Sequence, residues 1–253
     1  MIIGHTLVGR GKEPVIVMHG WFADSTVFAP MLPCLDAGRF TYAFVDYRGY
    51  GKSRELKGNY SMAELAADAI ALADHLGWQR FHAIGHSMGG KAVERIIIDS
   101  RGRVKSAVAL TPVPAALPPF PPEQQALFDG AVDDDAKRRM IIDFSSGNRL
   151  SGAWLDWMVQ RSRETTTRDA FAAYLKSWST GDFAAAVQGN PTPILVAVGE
   201  FDQGLTPEVM KQTYLAWHPK AELLVIANAG HYPMQETPVY LATVMERFMA
   251  AQG

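Results

Sequence analysis

A single cysteine, Cys34, stands in 253 residues, so no disulfide can close within the chain and no cysteine-rich metal site can be assembled. It sits in Phe28-Ala29-Pro30-Met31-Leu32-Pro33-Cys34-Leu35, an apolar stretch of helical pattern, and reads as a packing thiol rather than a nucleophile. No uninterrupted apolar run reaches the length of about 18 residues that a membrane span needs. The opening Met1-Ile2-Ile3-Gly4-His5-Thr6 has no basic segment leading into an apolar one, so a cytoplasmic location is the default expectation. Dense basic runs are missing too: the formal net charge is -2, and no stretch can track a phosphate backbone. Nucleic acid and membranes are therefore not expected partners. There are no internal repeats. The remaining composition, 48% hydrophobic and 20% charged, belongs to a soluble globular chain large enough to bury a sizeable core.

Short apolar runs alternate with segments of helical period. Val15 to Met18, Tyr42 to Val45, Phe81 to Ile84, Val104 to Leu110, Ile194 to Val198 and Leu223 to Ile226 read as buried strands. Helical spacing runs through Val27, Met31, Leu32 and Leu35. A second helix is expected after Ser61, an N-cap whose capping box Glu64 completes, with Leu65, Ala69, Leu72, Ala73 and Leu76 on one face and Gly77 at its end. Another runs from about Lys91 to Ser100. Near-continuous apolar strands alternating with amphipathic helices indicate an α/β protein with a mainly parallel sheet and helices on both faces.

The alternation breaks between Thr111 and Pro193. Six prolines open this stretch, at 112, 114, 118, 119, 121 and 122, followed by helical pattern over Asp133 to Phe144, Ser151 to Arg163 and Thr167 to Trp178. We expect a helical cap of residues 112–191 inserted into a core built from residues 1–111 and 192–253. The acidic run Asp133-Asp134-Asp135 reads as a solvated helix N-terminus rather than a metal site.

Gly85-His86-Ser87-Met88-Gly89 matches G-x-S-x-G directly between a strand and a helix, the context that gives this pattern its value. So sharp a turn exposes a serine hydroxyl above the sheet, at the positive end of a helix. A serine is a weak nucleophile without a base oriented by an acid. In this arrangement the partners follow in the order serine, acid, histidine. His231 follows the last expected strand, in Ala229-Gly230-His231, and Asp202 follows the strand before it, in Gly199-Glu200-Phe201-Asp202. Both lie at the carboxyl ends of strands, the edge where parallel sheets place ligands. Ser87, Asp202 and His231 are therefore the candidate catalytic residues.

Glu200 competes with Asp202 but stands nearer the strand, and Asp46, which precedes the serine, reads as structural. His5, His75, His82 and His218 lie on strands or helices, and His19 reads as structural. His86 is expected to point away from the nucleophile's face. An oxyanion hole needs two backbone N–H groups; Met88 should supply one and Trp21 the other, with Phe22 second. The candidate substrate-binding residues are Phe22, His86, Trp154, Trp157 and Phe171, although most cap aromatics, with Met158, Tyr174 and Trp178, are expected simply to pack.

His19-Gly20-Trp21, Asp46-Tyr47-Arg48-Gly49-Tyr50-Gly51-Lys52-Ser53, Gly85-His86-Ser87-Met88-Gly89-Gly90, Gly199-Glu200-Phe201-Asp202 and Ala229-Gly230-His231 together resemble the α/β-hydrolase superfamily, particularly its small esterases, lactonases and perhydrolase-like enzymes (cofactor-free haloperoxidases). The resemblance spans Val15 to about Phe248, the cap excepted. It implies a metal-free, cofactor-free enzyme with a small-molecule ester or lactone substrate, first of all a serine hydrolase of carboxylic esters of small to medium uncharged compounds; a lactonase, perhydrolase or C–C bond hydrolase with the same triad, or a non-turnover receptor, are the alternatives. Similar haloalkane dehalogenases and epoxide hydrolases would carry aspartate at position 87, and dienelactone hydrolases cysteine. One departure is the short segment before Val15, which leaves the usual first antiparallel strands shortened. Oligomeric state is not legible in the sequence.

Overall fold

A computed structural model describes residues 2–252. In chain order the first half comprises β1 (His5–Gly9), β2 (Glu13–Met18), β3 (Phe40–Val45), α1 (Met62–His75), β4 (Phe81–His86), α2 (Met88–Asp99) and β5 (Val104–Leu110). Helices α3 (Pro122–Gly130), α4 (Asp135–Ser145), α5 (Gly152–Thr165), α6 (Arg168–Thr180) and α7 (Ala184–Val187) follow. The chain ends with β6 (Ile194–Gly199), α8 (Pro207–Gln212), α9 (Tyr214–Trp217), β7 (Ala221–Ile226), α10 (Pro233–Glu236) and α11 (Pro238–Ala250).

The seven strands form one sheet in the order β1-β3-β2-β4-β5-β6-β7. Every neighbouring pair is parallel except β1 with β3, where His5 faces Val45 and Gly9 faces Thr41. Among the described residues, β1 is the one antiparallel strand. Val15, Ile16, Val17 and Met18 are consecutive and each 0% exposed. Successive strand residues face opposite sides, so helices must cover both faces. On one side α2 packs on β2, β4 and β5 and against α1; α11 packs on β5 and against the segment Ser25–Cys34. No helix among the described residues is long and apolar enough to cross a membrane.

Between β5 and β6 the described elements are all helices. Their starts are capped as the polar residues suggest: Asp134, Ser151 and Thr167 accept hydrogen bonds from the first-turn N–H groups of α4, α5 and α6. Asp133 pairs with Arg168 through two bonds of 2.7 Å, and Asp135 with Arg163. Two buried cations hold these helices in place. Lys91, on α2, donates to Trp178 O at 2.9 Å in the last turn of α6 and to Gly181 O just beyond it. Burial pushes its amine down to about 8. Arg138 donates to Ala131 O, Val132 O and Ser162 Oγ, and its guanidinium stands 3.8 Å over the Phe171 ring.

Three local expectations need correction. Ser25–Cys34 is a 3-10 segment rather than an α-helix, because Pro30 and Pro33 lack the N–H groups that an α-helical ladder requires; Cys34 is half-buried at its end. The proline run leads into a helix absent from the sequence reading, α3, which has Pro122 at its start and no fully buried residue, hence no apolar stripe to read. The capping box at α1 is open: Ser61 accepts from Glu64 N at 3.1 Å, but the Glu64 carboxylate takes Tyr60 N instead of Ser61 N.

Candidate active site

β4 runs straight into α2 through Ser87, whose φ of 55° and ψ of -117° lie outside ordinary L-residue backbone space. A Cβ at Gly85 would come within 2.2 Å of Gly89 O, and one at Gly89 within 2.7 Å of Met18 O and His19 O. Strand and helix can pass this closely only because both residues are glycine. Ser87 N donates to Leu110 O and Val113 N donates to Ser87 O, each at 2.9 Å, which holds the strained turn from the β5 side.

The loops after β6 and β7 bring the two other candidates together. His231 Nδ1–H donates to Asp202 Oδ2 at 2.6 Å. The other oxygen, Oδ1, accepts from Gly204 N at 2.9 Å and Leu205 N at 3.0 Å, so the carboxylate is fully engaged and its side chain fully buried. Glu200 is exposed and accepts only from Asn228 N, away from His231. Asp46 accepts from Ser25 N and Lys52 N, a turn-holding role.

His231 is fixed on its backbone side as well. Its N–H donates to Ser145 O, and its carbonyl accepts from His86 Nε2–H at 2.8 Å and Thr111 Oγ1 at 3.1 Å. His86, counted above among the substrate-binding candidates, is only 2% exposed; it lies beside the His231 ring, with 4.9 Å between centroids, and faces a backbone carbonyl. Burial drives it well below the usual histidine range, so it is a neutral donor. His19 is likewise buried and pushed down, and bonds Gly20 O through Nδ1.

The loop after β2 completes the surroundings of Ser87. A Cβ on Gly20 would meet His86 Nδ1 at 2.8 Å and Ser87 Cβ at 3.2 Å, so this backbone passes directly beside the serine. The N–H groups of Trp21 and Phe22, and that of Met88 at the start of α2, have no protein acceptor among the described residues. Tyr47 OH donates to His19 O and Tyr50 OH to Trp21 O, which anchors the loop from below. From above, Trp21 Nε1–H donates to Phe171 O at 2.8 Å and the two rings stack at 4.0 Å.

The candidate substrate-binding aromatics divide. Phe22 and Phe171 are buried beside Trp21, in a cluster that continues through Phe128 and Trp178. Trp154 stacks edge-on against Tyr232, next to His231. Trp157 is 41% exposed and shares an open groove with Trp154, Thr26, Pro30, Arg161 and Gln235.

Sequence reasoning missed Glu236. Its carboxylate, 4% exposed in the side chain, accepts from Gly230 N at 2.9 Å and Tyr232 N at 3.0 Å, the residues on either side of His231, and pairs with Arg149 at 3.0 Å. Burial raises its pKa from the ordinary value, against the pull of these N–H groups and Arg149. The only signal available was its place five residues after the histidine.

Known proteins resemble the chain in sequence and in fold. Residues 13–238 match the family described as alpha/beta hydrolase fold. The chain is 28% identical over 238 residues to a non-heme haloperoxidase from Rhodococcus erythropolis, covering 88% of this chain and 86% of that protein. It is 25% identical over 256 residues to a pimeloyl-[acyl-carrier protein] methyl ester esterase from Serratia marcescens, covering 96% of each. Among solved structures, a hydrolase from Oleispira antarctica superposes with a TM-score of 0.87 at 20% identity, over 98% of this chain and 94% of that one.

Proposed function

The chain belongs to the α/β-hydrolase family, and within it we propose a serine hydrolase that cleaves carboxylic esters of small to medium uncharged substrates through an acyl-enzyme on Ser87. The observation that carries this reading is the 2.6 Å bond from His231 Nδ1–H to a fully buried Asp202, together with a serine held in strained backbone at a helix N-terminus on the same edge of the sheet. That bond leaves Nε2 as the basic nitrogen of a neutral imidazole.

The chemistry follows from the groups in place. Ser87 Oγ attacks the ester carbonyl carbon while His231 Nε2 takes its proton, and Asp202 stabilises the resulting imidazolium. The carbonyl oxygen becomes an oxyanion, received by the free N–H groups of Trp21 and Met88, each donor worth about 3–4 kcal/mol in the transition state. Collapse of the tetrahedral intermediate breaks the bond to the alcohol oxygen, which leaves with the proton from His231. Water, deprotonated by the same nitrogen, then attacks the acyl carbonyl and releases the acid and free Ser87. A lactone is an ester closed on itself and would follow the same steps.

We assign residues 112–191 as a cap over a core of residues 1–111 and 192–253. Its aromatic side chains meet the oxyanion loop at Trp21 and Phe22, which favours apolar acyl or aryl groups near Ser87. The test is fluorophosphonate labelling of the wild type and Ser87→Ala, with turnover of p-nitrophenyl esters alongside. Labelling should vanish in a folded Ser87→Ala protein and kcat should fall by about 10⁶-fold. Turnover by the variant within tenfold of the wild type would overturn the reading.

A further inference from the structure

The turn that links α4 to α5 is built into the His231 and Asp202 loops. Ser145 O accepts from His231 N at 3.1 Å, and a Cβ on Gly230 would lie 2.7 Å from Ser146 Cα. Gly147, at φ +77°, packs so closely on Phe201 that an added Cβ would meet the Phe201 Cβ at 2.8 Å; Phe201 directly precedes Asp202. Arg149 lies 4.8 Å over the Phe201 ring, donates to Asn228 O, and pairs with Glu236 at 3.0 Å. One guanidinium therefore joins the loop of the acid to the loop of the base.

Glu236 converts that pairing into a constraint on the histidine. Its carboxylate collects the N–H groups of Gly230 and Tyr232, so the backbone is tied down on both sides of His231. Thr111 completes the clamp from β5: its hydroxyl donates to His231 O from a residue held at φ 37°, a costly backbone for a β-branched side chain. Buried carboxylates bonded to several backbone N–H groups are stiff, because any shift breaks charge-assisted bonds that water cannot replace.

We propose that Glu236, locked by Arg149 from the inserted helices, is a positioning residue that sets the direction of the His231 imidazole between Asp202 and Ser87. The proposal rests on the serine-hydrolase reading above. It gives the insertion a second task besides covering the substrate: the catalytic base is aligned only when the α4–α5 turn is docked. Glu236 touches no reacting atom, so its loss should lower kcat and leave KM nearly unchanged.

The experiment compares wild type, Glu236→Gln, Arg149→Met and Arg149→Lys in ester turnover, fluorophosphonate labelling rate, and the downfield NMR resonance of the His231 Nδ1 proton. Glu236→Gln and Arg149→Met should lose roughly 10- to 100-fold in kcat, the scale expected of a slight misplacement of a catalytic group. Both should weaken or broaden the His231 proton signal, while Arg149→Lys, which keeps the charge, should recover most of the rate. Should Glu236→Gln fail to fold, the Arg149 pair decides alone, since Arg149 is partly exposed. Wild-type kcat with an unchanged proton signal in both Glu236→Gln and Arg149→Met would overturn the proposal alone. A folded wild type that neither labels nor turns over ester would overturn it together with the hydrolase reading.

Discussion

Replacing Asp202 with asparagine isolates the electrostatic part of the Asp202–His231 pair, because the environment dictates how the amide must sit. Asp202 Oδ1 accepts two loop N–H groups, from Gly204 at 2.9 Å and Leu205 at 3.0 Å. An amide nitrogen placed there would face two donors, at a cost of about 1–3 kcal/mol for each unsatisfied group. The amide oxygen must therefore take the Oδ1 position, and the NH2 must point at His231 Nδ1 across what is now a 2.6 Å bond. Two donors cannot share that contact, so the imidazole is forced into the tautomer with its proton on Nε2. That nitrogen can then no longer accept the serine proton. A loss of about 10⁴-fold in kcat is expected, equivalent to about 5 kcal/mol of transition-state stabilisation. The loop bonds to Oδ1 are retained, so circular dichroism and the unfolding midpoint should stay close to the wild type. Stopped-flow turnover of a p-nitrophenyl ester gives kcat directly. Glu200→Gln serves as the control, since Glu200 holds only Asn228 N and should leave kcat within twofold. A loss below about tenfold in Asp202→Asn would refute the tautomer argument, and an equal loss in Glu200→Gln would show that the wrong acid has been assigned.

Gly20→Ala places a methyl 2.8 Å from His86 Nδ1 and 3.2 Å from Ser87 Cβ. Neither neighbour can withdraw from the packed turn, so stability should fall by about 1–3 kcal/mol and kcat with it; urea unfolding and turnover that both match the wild type would contradict this. His82 should give an acid-sensitive stability term. Burial holds its ring at about 4, below the ordinary 6.5. The unfolded chain thus binds a proton in that window that the native state refuses, so its contribution is complete above pH 6.5 and is lost as pH falls toward 4. Between pH 7 and about 4.5 the wild type should lose roughly 2 kcal/mol more than His82→Gln, read by urea unfolding at the two pH values; equal losses would remove His82 as the cause.

Much of the architecture was legible because its signals are local. The buried run Val15 to Met18 reads as a doubly covered strand, and the structure leaves all four residues without exposure. Ser61, Ser151 and Thr167 announce helix starts through hydroxyls that must satisfy nearby N–H groups. The misreadings were also local conflicts. Apolar spacing from Val27 to Leu35 suggested an α-helix, but Pro30 and Pro33 tightened the segment into a 3-10 course. At α3 a helix opens on Pro122 with no fully buried residue, so no apolar stripe marked it.

The sequence by itself determined the six parallel strands and most of the helices between them, the sharp turn at Ser87, and the placing of Ser87, Asp202 and His231 at the carboxyl edge of the sheet. Each depends on residues adjacent in the chain or on the parallel course of the strands. Only the tertiary structure decided what touches what across large sequence separations. It set His86 Nε2 on His231 O and packed Phe171 between Trp21 and Arg138. It also brought Arg149, from the turn between α4 and α5, to Glu236. Nothing in the spacing of these residues encodes such contacts, because they are set by how helices and loops dock on the sheet, and docking is a property of whole packed surfaces.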